Sequence, residues 1–473
     1  MRENVIARRA LGLGNELSLA AGALVTGAVG AAIAARFGSA APVALLVSAA
    51  VAAVVVLTLH DPRNAVLAVF ATFPVANLAT GLPFLQATEA TTLGLAVVVA
   101  LAMMAQGETP LGWAPQLVWP VGLVAWALVA VPTAIDETLA LKQVAQLVAG
   151  LVFASVVVRT CRSSTDVRRI LAGLVAVGVV ITAVGLAGGA KQLRPEFQGA
   201  AVHGRLHATF SQPNQLGAFA AIAALAALSL AVSARTNRGR NAALGAFLLI
   251  LPGLLLSLSR GGWVGFGVGL CALIVAVGHA RGIVAALIVP LALVIVLLAS
   301  SAPFGADFSV VKLRAEALTV RSPYDRRNVI YAEAWREIRN HPWTGVGPGG
   351  FPVASTRHIS EAETVRPFHA HNLFLTWAAE CGLPAAAIIA AFTLALAAAV
   401  RRAARAAARR GDEADRALAL GLGAVLLGVL AQGMVDYVFR NGVLFLSLWA
   451  IIASLLVLER SEHVVLRPGG GTR

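Results

Sequence analysis

The sequence predicts an all-α, polytopic transmembrane helical bundle of about 12–14 spans, with one large extracytoplasmic loop containing short helices. Three observations predict it. Hydrophobic residues make up 58% of the 473-residue chain and charged residues 13%, with a mean hydropathy of +0.81; a soluble chain of this length needs far more polar surface. Apolar runs recur from Leu17 to Leu458, and each is long enough to cross the ~30 Å hydrocarbon layer, which takes about 20 helical residues. Runs such as Val43 to Leu59 do not alternate apolar with polar, as a transmembrane β-barrel strand would. In lipid a run of this kind satisfies its backbone as a helix.

Window length and charge breaks place spans at 17–35, 41–59, 64–80, 88–105, 116–134, 138–158, 168–188, 213–234, 242–258, 262–279, 283–301, 371–400, 416–435 and 441–458. Arg2, Arg8 and Arg9 precede the run from Leu17 to Ala35. That run is too long for a signal core and more spans follow, so it reads as a retained first helix. With the N-terminus in the cytoplasm, every basic cluster between spans falls on the cytoplasmic side: Arg63; Arg159, Arg162, Arg168 and Arg169; Arg235, Arg238 and Arg240; Arg281; the run Arg401, Arg402, Arg405, Arg409 and Arg410; and Arg460 with Arg467. The net charge of +14 is therefore a topology signal rather than a nucleic-acid footprint. Cys161, Cys271 and Cys381 have neither disulfide nor zinc-finger spacing and read as small hydrophobes.

Three stretches then face outward: 189–212, the tight turn Leu258 to Gly262, and 302–370, the largest polar stretch of the chain. A loop that long usually has a function. Within it, residues 328–340 put Tyr331, Ala334, Trp335 and Ile338 on one helical face and Glu333, Arg336, Glu337 and Arg339 largely elsewhere. Such a helix either lies at the membrane interface or caps the protein's own helices. The turn Gly345 to Gly350 has no preceding strand and no GK[ST] after it, which excludes a phosphate-binding P-loop.

The polar residues of these stretches carry the candidate chemistry. Arg205 precedes Asn214 at the mouth of a span, Arg260 sits in the SRGG turn, and His369, His371 and Asn372 end the large loop. Arginine grips phosphate oxygens in a bidentate way, and histidine accepts protons near neutral pH. Together they can hold a pyrophosphate leaving group and activate a hydroxyl. The plainer readings are that Arg260 snorkels to headgroups, that Arg205 is a loop residue and that His371 caps a helix. His369 and His371 alone, without an acidic or thiol cluster nearby in sequence, make a weak metal pair.

Four features resemble the O-antigen ligase and O-antigen polymerase family: RLHATFSQPNQLGAF from Arg205 to Phe219, LSLSRGGWVGF from Leu256 to Phe266, the amphipathic segment running into HPWTGVGPGGF, and HNLFLTWAAECGLP from His371 to Pro384. In the last, nine residues separate His371–Asn372 from Gly382, the spacing of the family's histidine motif. Ala386 stands where the family often has Gly, Thr or Tyr, a departure that bears on the subfamily. The resemblance implies a metal-independent glycosyltransferase without a cofactor, acting on a polyprenyl-pyrophosphate-linked glycan donor and a glycan or lipid-linked acceptor. It implies that His371 orients or deprotonates the acceptor hydroxyl and that Arg205 and Arg260 bind the donor pyrophosphate. Asn214, Arg326, Arg327, His369, Asn372 and Glu380 are the expected substrate-binding residues. Nine residues from His371 is about half a turn out of phase on a continuous helix, so either His371 precedes the helix or Glu380 is structural; Pro367 and the two histidines favour the first. Asp436 and Arg440 flank an outward turn and read as a mutual pair.

Three regions follow: N-terminal spans 1–188, a ligase-like catalytic region 189–400 including the loop 302–370, and C-terminal helices with a cytoplasmic tail over 401–473. The setting is the inner cell membrane, with both termini cytoplasmic and the site extracytoplasmic. The partners are the two glycan substrates and membrane lipids, not nucleic acid. The rival class is a transporter or permease of small anions or of lipid-linked glycan. Transporters carry ionisable residues in mid-membrane and broken helices in related halves; here the spans are nearly free of charge.

Overall fold

The computed structural model describes residues 53–76, 87–105, 107–109, 111–192, 197–198, 201–202, 205–278, 280–282, 327–357 and 369–465. The expected spans 17–35 and 283–301, and Arg326, lie outside the described residues. The architecture is an all-α helical bundle. In chain order it runs α1 (Asn64–Ala71), α2 (Ala87–Ala105), α3 (Val118–Ala130), α4 (Glu137–Thr160), α5 (Ser164–Gln192), a two-residue antiparallel ladder of β1 (Phe197–Gln198) with β2 (Ala201–Val202), α6 (Pro213–Val232), α7 (Asn237–Leu256) and α8 (Arg260–Ala276), then α9 (Arg327–Asn340), α10 (Phe351–Ala354), α11 (Leu373–Arg409), α12 (Glu413–Val435) and α13 (Gly442–Val465). Among the described residues nine helices are long and apolar enough to span a membrane, and two shorter apolar ones, Asn64–Val75 and Arg260–Ala276, accompany them. Several starts carry side-chain caps: Asp136 on α4, Thr236 on α7, Ser259 on α8, Asn372 on α11 and Asp412 on α12 each accept a backbone N–H of the first turn, satisfying donors that a helix leaves open.

At the centre, α6, α8 and α12 approach closely because small residues line their contacts, as in many membrane helix pairs. A Cβ on Gly265 would stand 2.8 Å from the Gly428 carbonyl oxygen, and one on Gly269 2.9 Å from that of Ala424. A Cβ on Gly262 would lie 2.8 Å from the Gly217 carbonyl. These contacts gather the start of α6, the start of α8 and the end of α12 at one end of the bundle.

The opposite end is basic and tied by ion pairs. Arg235 meets Asp412 at 2.6 Å, Arg168 meets Asp415 at 3.0 Å, Arg63 meets Asp166 at 2.9 Å and Arg402 meets Glu459 at 2.5 Å. The run Arg401 to Arg409, expected as loop, is instead a continuation of α11. Alanines 403, 404, 406 and 407 pack inward while Arg401, Arg402, Arg405 and Arg409 are exposed. Alanine and arginine both favour helix, so charge marks the end of the span without ending the helix.

Two further expectations change. The buried face of α9 is Ile330, Glu333, Ala334, Glu337 and Ile338, whereas Trp335 is 52% exposed. The helix packs on α11 with its two glutamates inward. The Leu258–Gly262 turn is shorter than expected, since α8 already begins at Arg260.

Replacing Gly265 with leucine forces α8 away from α12. Overpacking of this kind costs about 1–3 kcal/mol, so G265L is expected to lower the thermal unfolding midpoint in detergent. G267A, where a Cβ meets nothing within 4 Å, is expected to leave it unchanged or slightly raised.

Candidate active site

Asp436 follows α12 immediately and is buried. Its Oδ1 accepts from His371 Nδ1 at 2.7 Å and its Oδ2 from Asn214 Nδ2 at 2.8 Å. Because a carboxylate only accepts, His371 Nδ1 donates in this bond, which leaves Nε2 as the ring nitrogen that can accept. Asn214 in turn takes Arg205 Nη2 on its Oδ1 at 2.5 Å. A continuous chain of hydrogen bonds thus runs Arg205–Asn214–Asp436–His371. Arg205 is further held by the Ser257 carbonyl at 2.9 Å and by that of Leu258. Arg260 opens α8, and the next residue reaches the same acid: a Cβ on Gly261 would lie 3.3 Å from Asp436 Cβ. Arg327, at the start of α9, lies within electrostatic reach of Asp436 and His369. Arg205 and His371 therefore share one network, and Arg260 opens the helix whose second residue meets its acid, although Arg205 and His371 are 166 residues apart in the chain (371 − 205).

His371 lies before α11, whose first residue is Leu373, as the spacing to Glu380 favours. It adopts φ 50°, and the other positive-φ non-glycine residues among those described are Leu258, at φ 49°, and Ala208. Strained backbone of this kind concentrates at functional sites; here one instance aims His371 and another turns the Leu258 carbonyl onto Arg205. The His371 amide donates to His369 Nδ1 at 3.2 Å, and the rings meet edge to face at 4.5 Å. Burial, aided by the positive groups around it, pushes the His369 pKa down to about 3, so His369 is a neutral inward-facing prop. Burial works against ionised Asp436, yet the hydrogen bond from His371 and the surrounding positive groups hold its pKa below the usual carboxylate value. A depressed acid is stabilising above its unfolded pKa and loses that contribution only as pH falls through the folded one, so the pair is intact at neutral pH.

The remaining candidates are anchors. Asn372 caps α11 and donates to the Met434 carbonyl at 3.1 Å, tying the start of α11 to the end of α12. Glu380 is buried; one oxygen accepts the Gly349 amide at 3.0 Å and the other pairs with Arg440. The expected Asp436–Arg440 pair is thus replaced by two pairs, Asp436–His371 and Arg440–Glu380. The glycine-rich turn serves the same contact. Gly345, at φ 63°, passes against the Glu380 backbone, and Gly382, at φ 78°, breaks α11 where the Trp343 carbonyl abuts it, so a side chain at either position would clash.

Sequence reasoning missed Asp436 as a member of the site. The signal was faint: a lone acid ending an apolar run on the outward side. Its presence also alters the metal argument, because His369, His371 and Asp436 offer ligand atoms within 4.8 Å of one another. Four of the atoms there take part in hydrogen bonds: His369 Nδ1 with the His371 amide, His371 Nδ1 with one Asp436 oxygen, and the second Asp436 oxygen with Asn214. An ion bound through either Nδ1 would break this network, and His371 Nε2 stands outside it.

Residues 244–390 match the family model described as O-antigen ligase. The matched stretch holds Arg260, Arg327, His371 and Glu380, while Arg205, Asn214 and Asp436 lie outside it. No curated protein matches the chain significantly. A solved structure described as "Structural coordination of polymerization and crosslinking by a peptidoglycan synthase complex" is similar at 19% identity over 74% of this chain and 99% of that one, with a TM-score of 0.41; so distant a likeness says nothing of this chain's chemistry.

Breaking a buried ion pair on one side costs about 3–5 kcal/mol. R440M, which strands the Glu380 carboxylate, is therefore expected to lower the unfolding midpoint sharply. Adding E380Q, which keeps an acceptor for the Gly349 amide, should recover much of the loss.

Proposed function

We propose, taking the O-antigen ligase match over residues 244–390 as premise, that the chain is a membrane glycosyltransferase. It moves glycan from a polyprenyl-pyrophosphate donor onto an acceptor sugar hydroxyl. The observation that carries this reading is the Arg205–Asn214–Asp436–His371 chain. Asp436 fixes the tautomer of His371 and stabilises the imidazolium that forms, the logic of a histidine–acid couple. Nε2 takes the proton of the acceptor hydroxyl as its oxygen bonds to the donor's anomeric carbon. The bond from that carbon to the pyrophosphate oxygen breaks, and the electron pair leaves with polyprenyl pyrophosphate. Arg205 and Arg260, with Arg327 nearby, receive the developing negative charge. Attack opposite the leaving group inverts the anomeric centre. On this reading the reaction is metal-independent, with His371 Nε2 serving as base while both Asp436 oxygens are held by His371 and Asn214.

The basic end of the bundle faces the cytoplasm by the positive-inside rule. The site then opens on the extracytoplasmic side of the inner membrane, and the termini are cytoplasmic.

Purified protein with a polyprenyl-pyrophosphate glycan tests the chemistry. H371A and R260A are expected to abolish transfer, D436N to reduce kcat by about 100-fold or more through the wrong tautomer, and EDTA to leave the rate unchanged. Retention of transfer in H371A and R260A would overturn the mechanism. For orientation, intact cells are treated with a membrane-impermeant maleimide in a C271A background: T356C, exposed at the site end, is expected to label, and A408C, exposed at the basic end, is not.

A further inference from the structure

At the basic end of the bundle Arg63, Arg168, Arg235 and Arg416 each meet an aspartate or a glutamate. The exposed face of the last turns of α11 differs. Arg402 is spent on Glu459, whose second oxygen accepts from Gln116 Nε2 at 2.6 Å. Arg401, Arg405 and Arg409 have no acidic partner among the described residues. They recur at every fourth position, so they form one stripe with about 6 Å between successive residues along the axis. Like charges four apart on a helix repel. Ala403, Ala404, Ala406 and Ala407 pack the opposite face inward, which keeps the helix ordered against that repulsion and fixes the stripe outward. Arginines held in line without an acid of their own are placed to meet an anion from outside the chain, and the guanidinium fork suits phosphate oxygens.

The depth of the stripe says which anion. Beyond its break at Gly382, α11 runs 17 residues from Leu383 to Val400 (400 − 383). That is about 26 Å at ~1.5 Å per residue, close to the ~30 Å hydrocarbon layer. Leu383 and Leu394 are 50% and 71% exposed along it, as lipid-facing side chains are. Arg401 therefore stands at the hydrocarbon edge, with Arg405 about 6 Å and Arg409 about 12 Å further out. The headgroup layer on each side is about 5–8 Å deep, so the first two arginines lie at the level of lipid phosphates and the third lies just beyond. Tryptophans mark the same level. Trp113 and Trp119, 56% and 37% exposed, flank Gln116 in the chain, and Gln116 shares Glu459 with Arg402. Tryptophan collects at the membrane–water interface, so this surface belongs to the lipid headgroups rather than to open water where a soluble acidic partner would dock. We propose that the stripe is a binding site for the phosphate headgroup of an acidic phospholipid, held between Arg401 and Arg405. The inference concerns the end of the bundle away from the candidate active site and does not depend on the transferase reading.

The test titrates the full chain in detergent with phosphatidylglycerol or with phosphatidylcholine, and native mass spectrometry reads the bound fraction. Wild type is expected to hold phosphatidylglycerol the more tightly. R401Q and R405Q are each expected to weaken that affinity about fivefold, the worth of one arginine at a charged membrane surface, and together about 25-fold. R409Q is expected to change it by less than about twofold, because its charge stands off the phosphates by most of a Debye length. R401K/R405K keeps both charges and is expected to keep most of the binding. The charge-matched R238Q/R240Q, exposed at the same end on α7, is expected to change little. Without lipid, R405Q is expected to leave the unfolding midpoint unchanged or slightly raised, since it removes two like-charge contacts. Equal retention of phosphatidylcholine, or a loss in R409Q or R238Q/R240Q as large as in R401Q/R405Q, would mean diffuse attraction and overturn the site. Displacement of phosphatidylglycerol by polyglutamate or inorganic phosphate would assign the stripe to a soluble anion instead. A lower lipid-free midpoint in R405Q would make the arginine structural and would equally overturn the proposal.

Discussion

A buried carboxylate needs a partner for each oxygen, and Asp436, with 3% of its side chain exposed, finds them on opposite flanks: Asn214 on one and His371 on the other. An unpaired buried charge is among the costliest defects a fold can carry, so this requirement fixes how α6, α11 and α12 meet at the end of the bundle away from the basic one. The glycines of α8 and α12 serve it by letting the helices close until Gly261 touches the acid. The positive-φ backbone at Leu258 and His371 is tolerated for the same reason: one residue turns a carbonyl onto Arg205, and the other delivers a ring nitrogen to Asp436. A second buried pair, Arg440–Glu380, anchors the far end of the same short segment and reaches through Gly349 into the glycine-rich turn.

Much of this was legible in the amino-acid order, and what was not has a physical cause. The long apolar runs gave the spans because lipid demands complete helices. The His371–Glu380 separation, with Pro367 and the two histidines, correctly set His371 ahead of α11, and Gly382 proved to be a backbone break rather than a helical residue. The inward face of α9 is not the apolar stripe of Tyr331, Ala334, Trp335 and Ile338 that its sequence spacing shows. Near a membrane the surroundings can be apolar too, so Trp335 turns outward while Glu333 and Glu337 pack inward beside Ile330 and Ile338. The arginine run after Val400 was taken for loop on charge alone, although its alanine content favours helix. Asp436 escaped because its partners lie 65 and 222 residues away, and nothing local advertises that reach. The pairing with Arg440 was the natural local guess, and the fold sets it aside.

The two ends of the bundle use charge differently. At the basic end, arginines meet aspartates and glutamates across helices: Arg168 and Arg235 share Asp415, and Arg402 takes Glu459. Partly buried for the most part, these pairs tie the ends of α5, α11, α12 and α13 and the segment after α6 to one another. At the other end the acid is buried, its partners are a histidine and an amide, and Arg205 leans on backbone carbonyls. The first arrangement fastens helices, and the second holds a titratable ring in one orientation.

That orientation also separates a transferase from a transporter. A carrier must offer its ionisable groups to each side of the membrane in turn, usually from broken helices near the midplane. Here burial falls in one direction only, from Asp436 at 3% exposed to His371 at 26%, and the acid closes the inner side of the ring with its own hydrogen bond. Nδ1 is committed inward and Nε2 remains. An imidazolium formed by protonation of that nitrogen rests against a carboxylate already in place. For a reaction that needs one hydroxyl deprotonated at one place beside a departing pyrophosphate, a fixed couple open on a single side suffices; for alternating access it would be an obstruction.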